Sequence, residues 1–355
     1  MTNPYLNSVP EDSIDTVTVV IPTFNRANLL ERAIRSVKKQ TYQHWRLLVS
    51  DNASTDETSA VVSKFMDGDS RIRFHRHANN VGMLANWTSA ISSVDSKFFC
   101  ILSDDDVLFP DFMASVVTEM IKLPELGMCF GVTAGVNDTG TFIGFAPTKM
   151  APGYYPAGLG ASAMLNAQHP ASTATLFRTA SVQLAGGFDP KSHYVADLDM
   201  MLRVALMYPI KFFDGELAFH VAHADNAFSD DSCWYPGLRT LIINIRSLQP
   251  VDTLQQSRVL KKLSAHAITP FLASMLIRFF SHPIIVFNSK ELRFALNCLV
   301  DTQHVGTALF QLPLIIFRRC ASWFKRHIRK LLGQTRTNQV AARRHSRADD
   351  YFPSD

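Results

Sequence analysis

Phe98-Phe99-Cys100-Ile101-Leu102-Ser103-Asp104-Asp105-Asp106 is an apolar run that ends in three consecutive carboxylates. A short apolar run bounded by polar residues reads as a buried strand, which puts the acidic triplet at its carboxyl end. Like charges this close repel and raise one another's pKa unless a cation, a basic side chain or bulk water offsets them. Oxygen-only ligands suit Mg²⁺ or Mn²⁺, which keep several waters and take one or two carboxylates together with the oxygens of a diphosphate. Taken alone, the triplet reads equally well as a solvated acidic loop that caps the next helix.

The residues upstream favour the first reading. Residues 16–21 (Thr-Val-Thr-Val-Val-Ile) form a β-branched run that ends at Pro22, and residues 45–50 form a second strand that ends at Asp51. Between them, Asn28 and Glu31 have the spacing of a capping box, and Leu29, Leu30, Ala33, Ile34 and Val37 recur on one helical face. Ser54 and Glu57 are placed to cap a second helix with Ala60, Val61 and Phe65 on its apolar face. Residues 71–75 give a third strand, 81–94 a third helix through Leu84, Trp87 and Ile91, and 97–103 the fourth strand. Alternation at this spacing predicts an α/β fold with a mostly parallel sheet and right-handed crossovers. Ligands bind such sheets outside the carboxyl ends of the strands. Three polar groups fall there: 23–26, 51–54 and 104–106.

Downstream of Pro110 the pattern changes. Residues 126–134 and 141–145 flank Asn137-Asp138-Thr139-Gly140, the composition of a hairpin turn. Residues 146–160, rich in Pro, Gly and Tyr, read as a loop near the site. Residues 172–177 read as strand, followed by a short helix, the turn Gly186-Gly187-Phe188-Asp189-Pro190 and a helix over 197–206.

At 355 residues and 47% hydrophobic, the chain can hold one large α/β domain with an extension, or two domains. Its five cysteines are scattered without a Cys-x-x-Cys, which argues against a disulfide scaffold or a zinc ribbon and for a reducing compartment. Residues 1–15 are polar and do not read as a secretory signal. No stretch reaches about 18 uninterrupted apolar residues, the length a spanning helix needs. The net charge of +4 is concentrated at the end, where the residues from 318 onward carry ten basic side chains against three acidic ones. Residues 318–332 interleave Trp323, Phe324, Ile328, Leu331 and Leu332 with basic residues. Such a helix suits an anionic lipid surface, or it packs on the catalytic part with its basic side chains solvated.

In combination and order, several motifs resemble the family-2 glycosyltransferases, inverting enzymes with the GT-A fold. They are Val19-Val-Ile-Pro-Thr-Phe-Asn-Arg26, Leu30-x-x-Ala33-Ile34-x-Ser36-Val37-x-x-Gln40-Thr41, Ser50-Asp51-Asn52-Ala53-Ser54-Thr55-Asp56 and Asn80-Val81-Gly82-x-x-x-Asn86. Leu102-Ser103-Asp104-Asp105-Asp106, Gly186-Gly187-Phe188-Asp189 and Asp197-x-Asp199-x-x-x-Arg203 complete the set, which spans about residues 16–225.

The resemblance implies that Thr23, Asn25 and Arg26 approach the nucleotide of a sugar donor and that Asp51 reads its base. It implies that Asp104 and Asp106 hold Mg²⁺ or Mn²⁺, with Asp105 contacting the ribose or supporting the shell. Asp197 matches the general base, which takes the acceptor hydroxyl proton as the new C1–O bond forms. His223 resembles a late histidine of the family that approaches diphosphate or metal; an ordinary surface or core histidine is the other reading. Two positions depart from the family pattern. Ala196 stands where a Glu is usual, and Ser103 where many members have another Asp.

The implied partners are a nucleotide-sugar donor and a glycan or lipid-linked acceptor, in cell-surface polysaccharide synthesis on the cytoplasmic face of a membrane. A catalytically degenerate GT-A protein, serving as a scaffold or sugar-binding module, is the alternative that the intact Asp104, Asp106 and Asp197 disfavour. Nucleotidyl transfer would need a Gly-rich phosphate loop and dinucleotide redox chemistry a Gly-x-Gly-x-x-Gly, neither of which follows the first strand. No nucleic-acid module accompanies the basic tail, so a nucleic-acid partner is not expected. The expected organisation is a polar tail at 1–15, a GT-A domain at 16–237, an amphipathic helical region at 238–332 and a disordered tail at 333–355.

Overall fold

The computed structural model describes residues 15–145, 150–167, 170–222, 235–263 and 347–352. The chain opens with β1 (Val17–Thr23), α1 (Ala27–Lys38), β2 (Trp45–Asp51), α2 (Thr58–Met66), β3 (Ile72–Arg76), α3 (Met83–Ser92) and β4 (Phe98–Ile101). It continues with β5 (Val107–Leu108), α4 (Phe112–Lys122), β6 (Met128–Asn137), β7 (Phe142–Phe145), β8 (Gly153–Tyr155) and α5 (Leu159–Ala167). Then come β9 (Thr175–Arg178), α6 (Thr179–Leu184), α7 (Ala196–Met207), β10 (Ile210–Ala222), α8 (Tyr235–Ser247) and α9 (Thr253–Leu263). Short 3-10 turns lie at Ser172–Ala174, Pro190–Val195 and Ala348–Asp350.

One sheet runs in the order β3-β2-β1-β4-β9-β6-β10-β5, with β7 added to β6 and β8 to β10. The first four strands are parallel, as the alternation of strands and helices predicts. Beyond β4 the sheet is mixed, since β9 runs antiparallel to both β4 and β6 while β10 is parallel to β6. The parallel order gives way there because β9 returns from the excursion through β7, β8 and α5 without a helical crossover of the βαβ kind.

Period-two alternation sorts the strands onto two cores. Val17, Val19 and Ile21 of β1, with Phe98 and Cys100 of β4, pack against Leu30 and Ile34 of α1 and Val116 and Met120 of α4. Val20, Phe99 and Ile101 face the other way, onto Ile91 of α3, Met201 and Val204 of α7 and Leu241 and Ile245 of α8. Helices therefore cover both faces, and the strands must be apolar on both sides. Pro22 lies beyond the last β1–β4 pair, Val20 with Ile101, so its missing N–H costs no ladder bond on that side.

Local chemistry departs from the reading in several places. The predicted capping residues Asn28 and Ser54 do not act as caps. Instead Asp56 accepts from the Ala27 amide at 3.0 Å and from the Thr58 amide at 3.0 Å, joining the starts of α1 and α2. Glu31 pairs with Arg35 on the helix surface. The stretch at 172–177 opens as a 3-10 turn before becoming β9. The expected loop at 146–160 contains β8, which pairs with Ile210–Phe212 of β10, and the start of α5; residues 146–149 lie outside the described ones.

The hairpin forms as predicted. Asn137 Oδ1 accepts from the Thr139 and Thr141 amides, and Gly140 supplies the positive φ of +77°. Helices α8 and α9 bury Leu238, Leu241, Val259 and Leu263 in the same core as α7, so the start of the C-terminal region is continuous with the sheet domain. Of the expected tail at 333–355, residues 347–352 are described, and there Ala348, Tyr351 and Phe352 are buried against β5, β6 and β10. The basic, aromatic segment at 318–332 lies outside the described residues. Among the described residues, no helix is long and apolar enough to cross a membrane.

Candidate active site

Thr23 and Asp51 are register partners at the ends of β1 and β2, and β4 lies on the other side of β1. The loops after these three strands therefore open on one edge of the sheet, as the sequence predicts. Their side chains meet there. Thr23 donates its hydroxyl to Asp104 Oδ2 at 2.8 Å. Arg26 Nη1 lies 3.0 Å from both Asp104 Oδ1 and Asp105 Oδ2. Asp104, Asp105 and Asp106 are all buried, at 5%, 7% and 3% exposure, so water cannot provide the charge compensation. Burial, only partly opposed by Arg26 and augmented by Asp105, pushes the Asp104 carboxyl up to about 6.

Asp106 points away from Arg26. Its carboxylate accepts from the Thr173 hydroxyl at 2.6 Å and the Val221 amide at 3.0 Å, and it pairs with His220 Nδ1 at 3.2 Å. The hydrogen bond to Asp106 raises the His220 pKa against the opposing effect of burial. His223 lies outside the described residues. Among the described residues, His220, on β10, is the histidine that meets the triplet, and the sequence reading missed it. Its signal was the alternation Phe219-His220-Val221, in which the polar residue stands between two buried ones. Thr173 left no such signal, since 67 residues separate it from Asp106.

Among the described residues, no three His, Cys, Asp or Glu side chains converge as a ready ligand set. The donor chemistry nevertheless fits a hard divalent ion completed by phosphate oxygens. Two buried carboxylates share the Arg26 guanidinium, and the candidate ligand atoms are carboxylate oxygen or imidazole nitrogen.

The loops after β1 and β2 are interlocked. Asn25 Oδ1 accepts from the Thr55 amide at 2.7 Å, and the Asn25 amide donates to Ser54 Oγ at 2.9 Å. Asn25 and Ala53 both adopt positive φ, 53° and 63°, a conformation that costs a side chain energy and is tolerated where neighbours enforce it. Asp51 is fully buried. Its Oδ1 accepts from the Ser54 amide at 3.0 Å, whereas its Oδ2 has no hydrogen-bond partner, and Arg76 Nε stands 3.6 Å away. A buried carboxylate oxygen left without a hydrogen bond is costly, and a ligand N–H would satisfy it.

Asp197 lies in the first turn of α7, half-buried, and accepts from the Leu198 amide at 2.7 Å. Asp199 has a structural role. Fully buried, it pairs with Arg203 Nη2 at 3.0 Å and accepts from Ser192 and Asn244. Arg203 also donates to the Ala185 and Gly187 carbonyls, and Gly186 and Gly187 turn around it at φ of +92° and +67°. The two motifs at 186–189 and 197–203 are therefore halves of one clamp that sets the start of α7. His193, at φ 46°, lies in the turn that leads into it.

Residues 18–182 match the family model for glycosyl transferase family 2. This domain belongs to the family-2 glycosyltransferases. The chain is 32% identical over 102 residues to a GalNAc(5)-diNAcBac-PP-undecaprenol β-1,3-glucosyltransferase of Campylobacter jejuni, covering 28% of this chain and 33% of that one. It is 30% identical over 137 residues to the Escherichia coli UDP-Glc:α-D-GlcNAc-diphosphoundecaprenol β-1,3-glucosyltransferase WfgD, covering 38% of this chain and 52% of the relative. The matches thus span between about a third and half of these relatives' own lengths. In fold, the protein is similar to S. aureus TarS 1-349 in complex with UDP, at a TM-score of 0.64 and 16% identity over 92% of this chain and 95% of that one. The likeness places the chain in the GT-A fold.

Proposed function

We propose that this protein is an inverting glycosyltransferase that moves a sugar from a nucleoside-diphosphate donor to a hydroxyl on a glycan or lipid-linked acceptor. The observation that carries this reading is the edge where the buried Asp51 Oδ2, without a hydrogen-bond partner, and the Asp104–Arg26–Asp105 cluster meet at the ends of neighbouring strands. Asp51 would accept an N–H of the donor's base. Thr23, Asn25 and Arg26 line the path from base to diphosphate. The uridine nucleotide in the TarS complex and the lipid-linked substrates in the relatives' names are consistent with this donor and acceptor.

In the transfer, the acceptor oxygen forms its bond to C1 as the bond from C1 to the diphosphate oxygen breaks. Asp197 takes the acceptor proton, and the leaving diphosphate keeps the electron pair. A divalent ion held by oxygens of the acidic triplet, Asp104 and Asp106 in the family pattern, would supply positive charge to that diphosphate when bound. Arg26 would contribute from the protein side, exchanging part of its pairing with Asp104 and Asp105 for phosphate oxygens. His220 sits where it can hold the orientation of Asp106. The setting would be polysaccharide synthesis at the cytoplasmic face of a membrane, with the chain held peripherally through its basic C-terminal region.

The test is calorimetric binding of a panel of nucleoside diphosphates, with and without Mn²⁺, to wild type and Asp106→Ala. Metal-dependent binding of one base, lost in the variant, is the expected result. Failure of the folded wild type to bind any nucleotide would reject the transferase reading in favour of a degenerate member.

A further inference from the structure

The short segment at 347–352 reaches back across the whole chain to the elements on either side of the acidic triplet. Tyr351 donates its hydroxyl to the carbonyl of Leu108, two residues beyond Asp106, at 3.1 Å. The Phe352 ring lies 4.5 Å beneath the guanidinium of Arg32, and Arg32 Nη2 donates to the Asp105 carbonyl at 2.9 Å. Phe352 and Tyr351 also pack edge-on against Phe219, next to the His220 and Val221 that hold Asp106.

The segment is itself pinned at both ends. Arg347 pairs with Asp111 at 2.9 Å, and Lys39 donates to the Asp350 carbonyl at 2.7 Å. A Cβ at Gly140 would lie 2.9 Å from that of Phe352, so the β6–β7 turn closes directly on the segment.

Arg32 makes this arrangement more than a hydrophobic plug. Its guanidinium is largely desolvated and its Nε has no hydrogen-bond partner, a costly state for a charge. A long cationic side chain in that state swings to water unless other contacts retain it, and an aromatic face is such a contact. We propose that the 347–352 segment is a positioning strap, in which Phe352 retains Arg32, Arg32 holds the Asp105 carbonyl, and Tyr351 holds Leu108. Together they keep the Asp104–Asp106 loop in the shape that receives a diphosphate and its cation. The inference rests on the transferase reading for its purpose, not for its geometry.

The test uses the full chain as wild type, Phe352→Ala and Phe352→Tyr. Hydrogen exchange is followed at residues 103–109 and, as internal reference, at β1 and β2. In Phe352→Ala, exchange at 103–109 should rise roughly tenfold or more while the reference strands stay unchanged, and Phe352→Tyr should restore protection. Affinity for the Mn²⁺–nucleoside diphosphate should fall roughly tenfold in the alanine variant and recover in the tyrosine variant. Unchanged exchange at 103–109, or an equal rise in β1 and β2, would overturn the strap. If the wild type binds no nucleotide, the transferase reading fails, while the exchange result still decides whether the strap exists.

Discussion

Replacing Asp51 by Asn changes the one buried carboxylate oxygen that, among the described residues, has no hydrogen-bond partner. In the wild type, Oδ1 is engaged by Ser54, while Oδ2 has only Arg76 Nε at 3.6 Å, too far for a hydrogen bond. An asparagine that keeps its oxygen on Ser54 must turn its NH₂ toward the ligand, so a donor faces the base N–H. One that turns its oxygen to the ligand abandons the Ser54 amide. A hydrogen bond to a charged acceptor is worth about 1.5–3 kcal/mol, so nucleotide affinity should fall about 10- to 150-fold. Stability should change little, because the substitution removes a desolvated charge whose cationic partner, Arg76, is 46% exposed. Calorimetry with the nucleoside diphosphate bound by the wild type, alongside thermal unfolding, separates the two effects. An affinity within about twofold of wild type, in a variant that unfolds normally, would refute the assignment of Asp51 to the base.

The Asp104 pKa, pushed up to about 6, means that the folded protein holds an extra proton below that pH. Stability without ligand should therefore fall as pH rises from about 4 to 6 and then level off, while His220, raised by Asp106, loses its stabilising contribution as pH rises through its own folded pKa. On the proposed role of Asp104 as a ligand, Mn²⁺ would have to displace its proton, so Mn²⁺ affinity should weaken about tenfold per unit below pH 6, and a flat profile from pH 5 to 7 would contradict that role. Arg203→Ala strands the buried Asp199 charge and should cost about 3–5 kcal/mol in denaturant unfolding; a loss under about 1 kcal/mol would show that the clamp does not support α7. Asp197→Asn should lower kcat by at least about 100-fold with nucleotide affinity unchanged, and retention of full turnover would exclude it as the base.

The sequence by itself determined the first four strands, their helices and the edge at which 23–26, 51–54 and 104–106 meet. Period-two and helical patterning, which specify these elements, are local properties, and βαβ chirality converts them into neighbouring strand ends. It also determined the family, through motifs whose order survives without coordinates. What it could not supply was pairing at long separation.

The tertiary structure decided that Asp56 joins the starts of α1 and α2, and that β9 enters antiparallel. It decided that Asp106 is held by Thr173 and His220, and that Asp199 and Arg203 are a buried brace for Asp197. It also brought Tyr351 and Phe352 back onto the strand ends beside the triplet. The contacts of Asp106, Asp199 and Arg203 are chosen by burial, because a carboxylate or guanidinium removed from water must find its partner wherever the fold brings one. Nothing in the spacing of residues along the chain records where that partner will be.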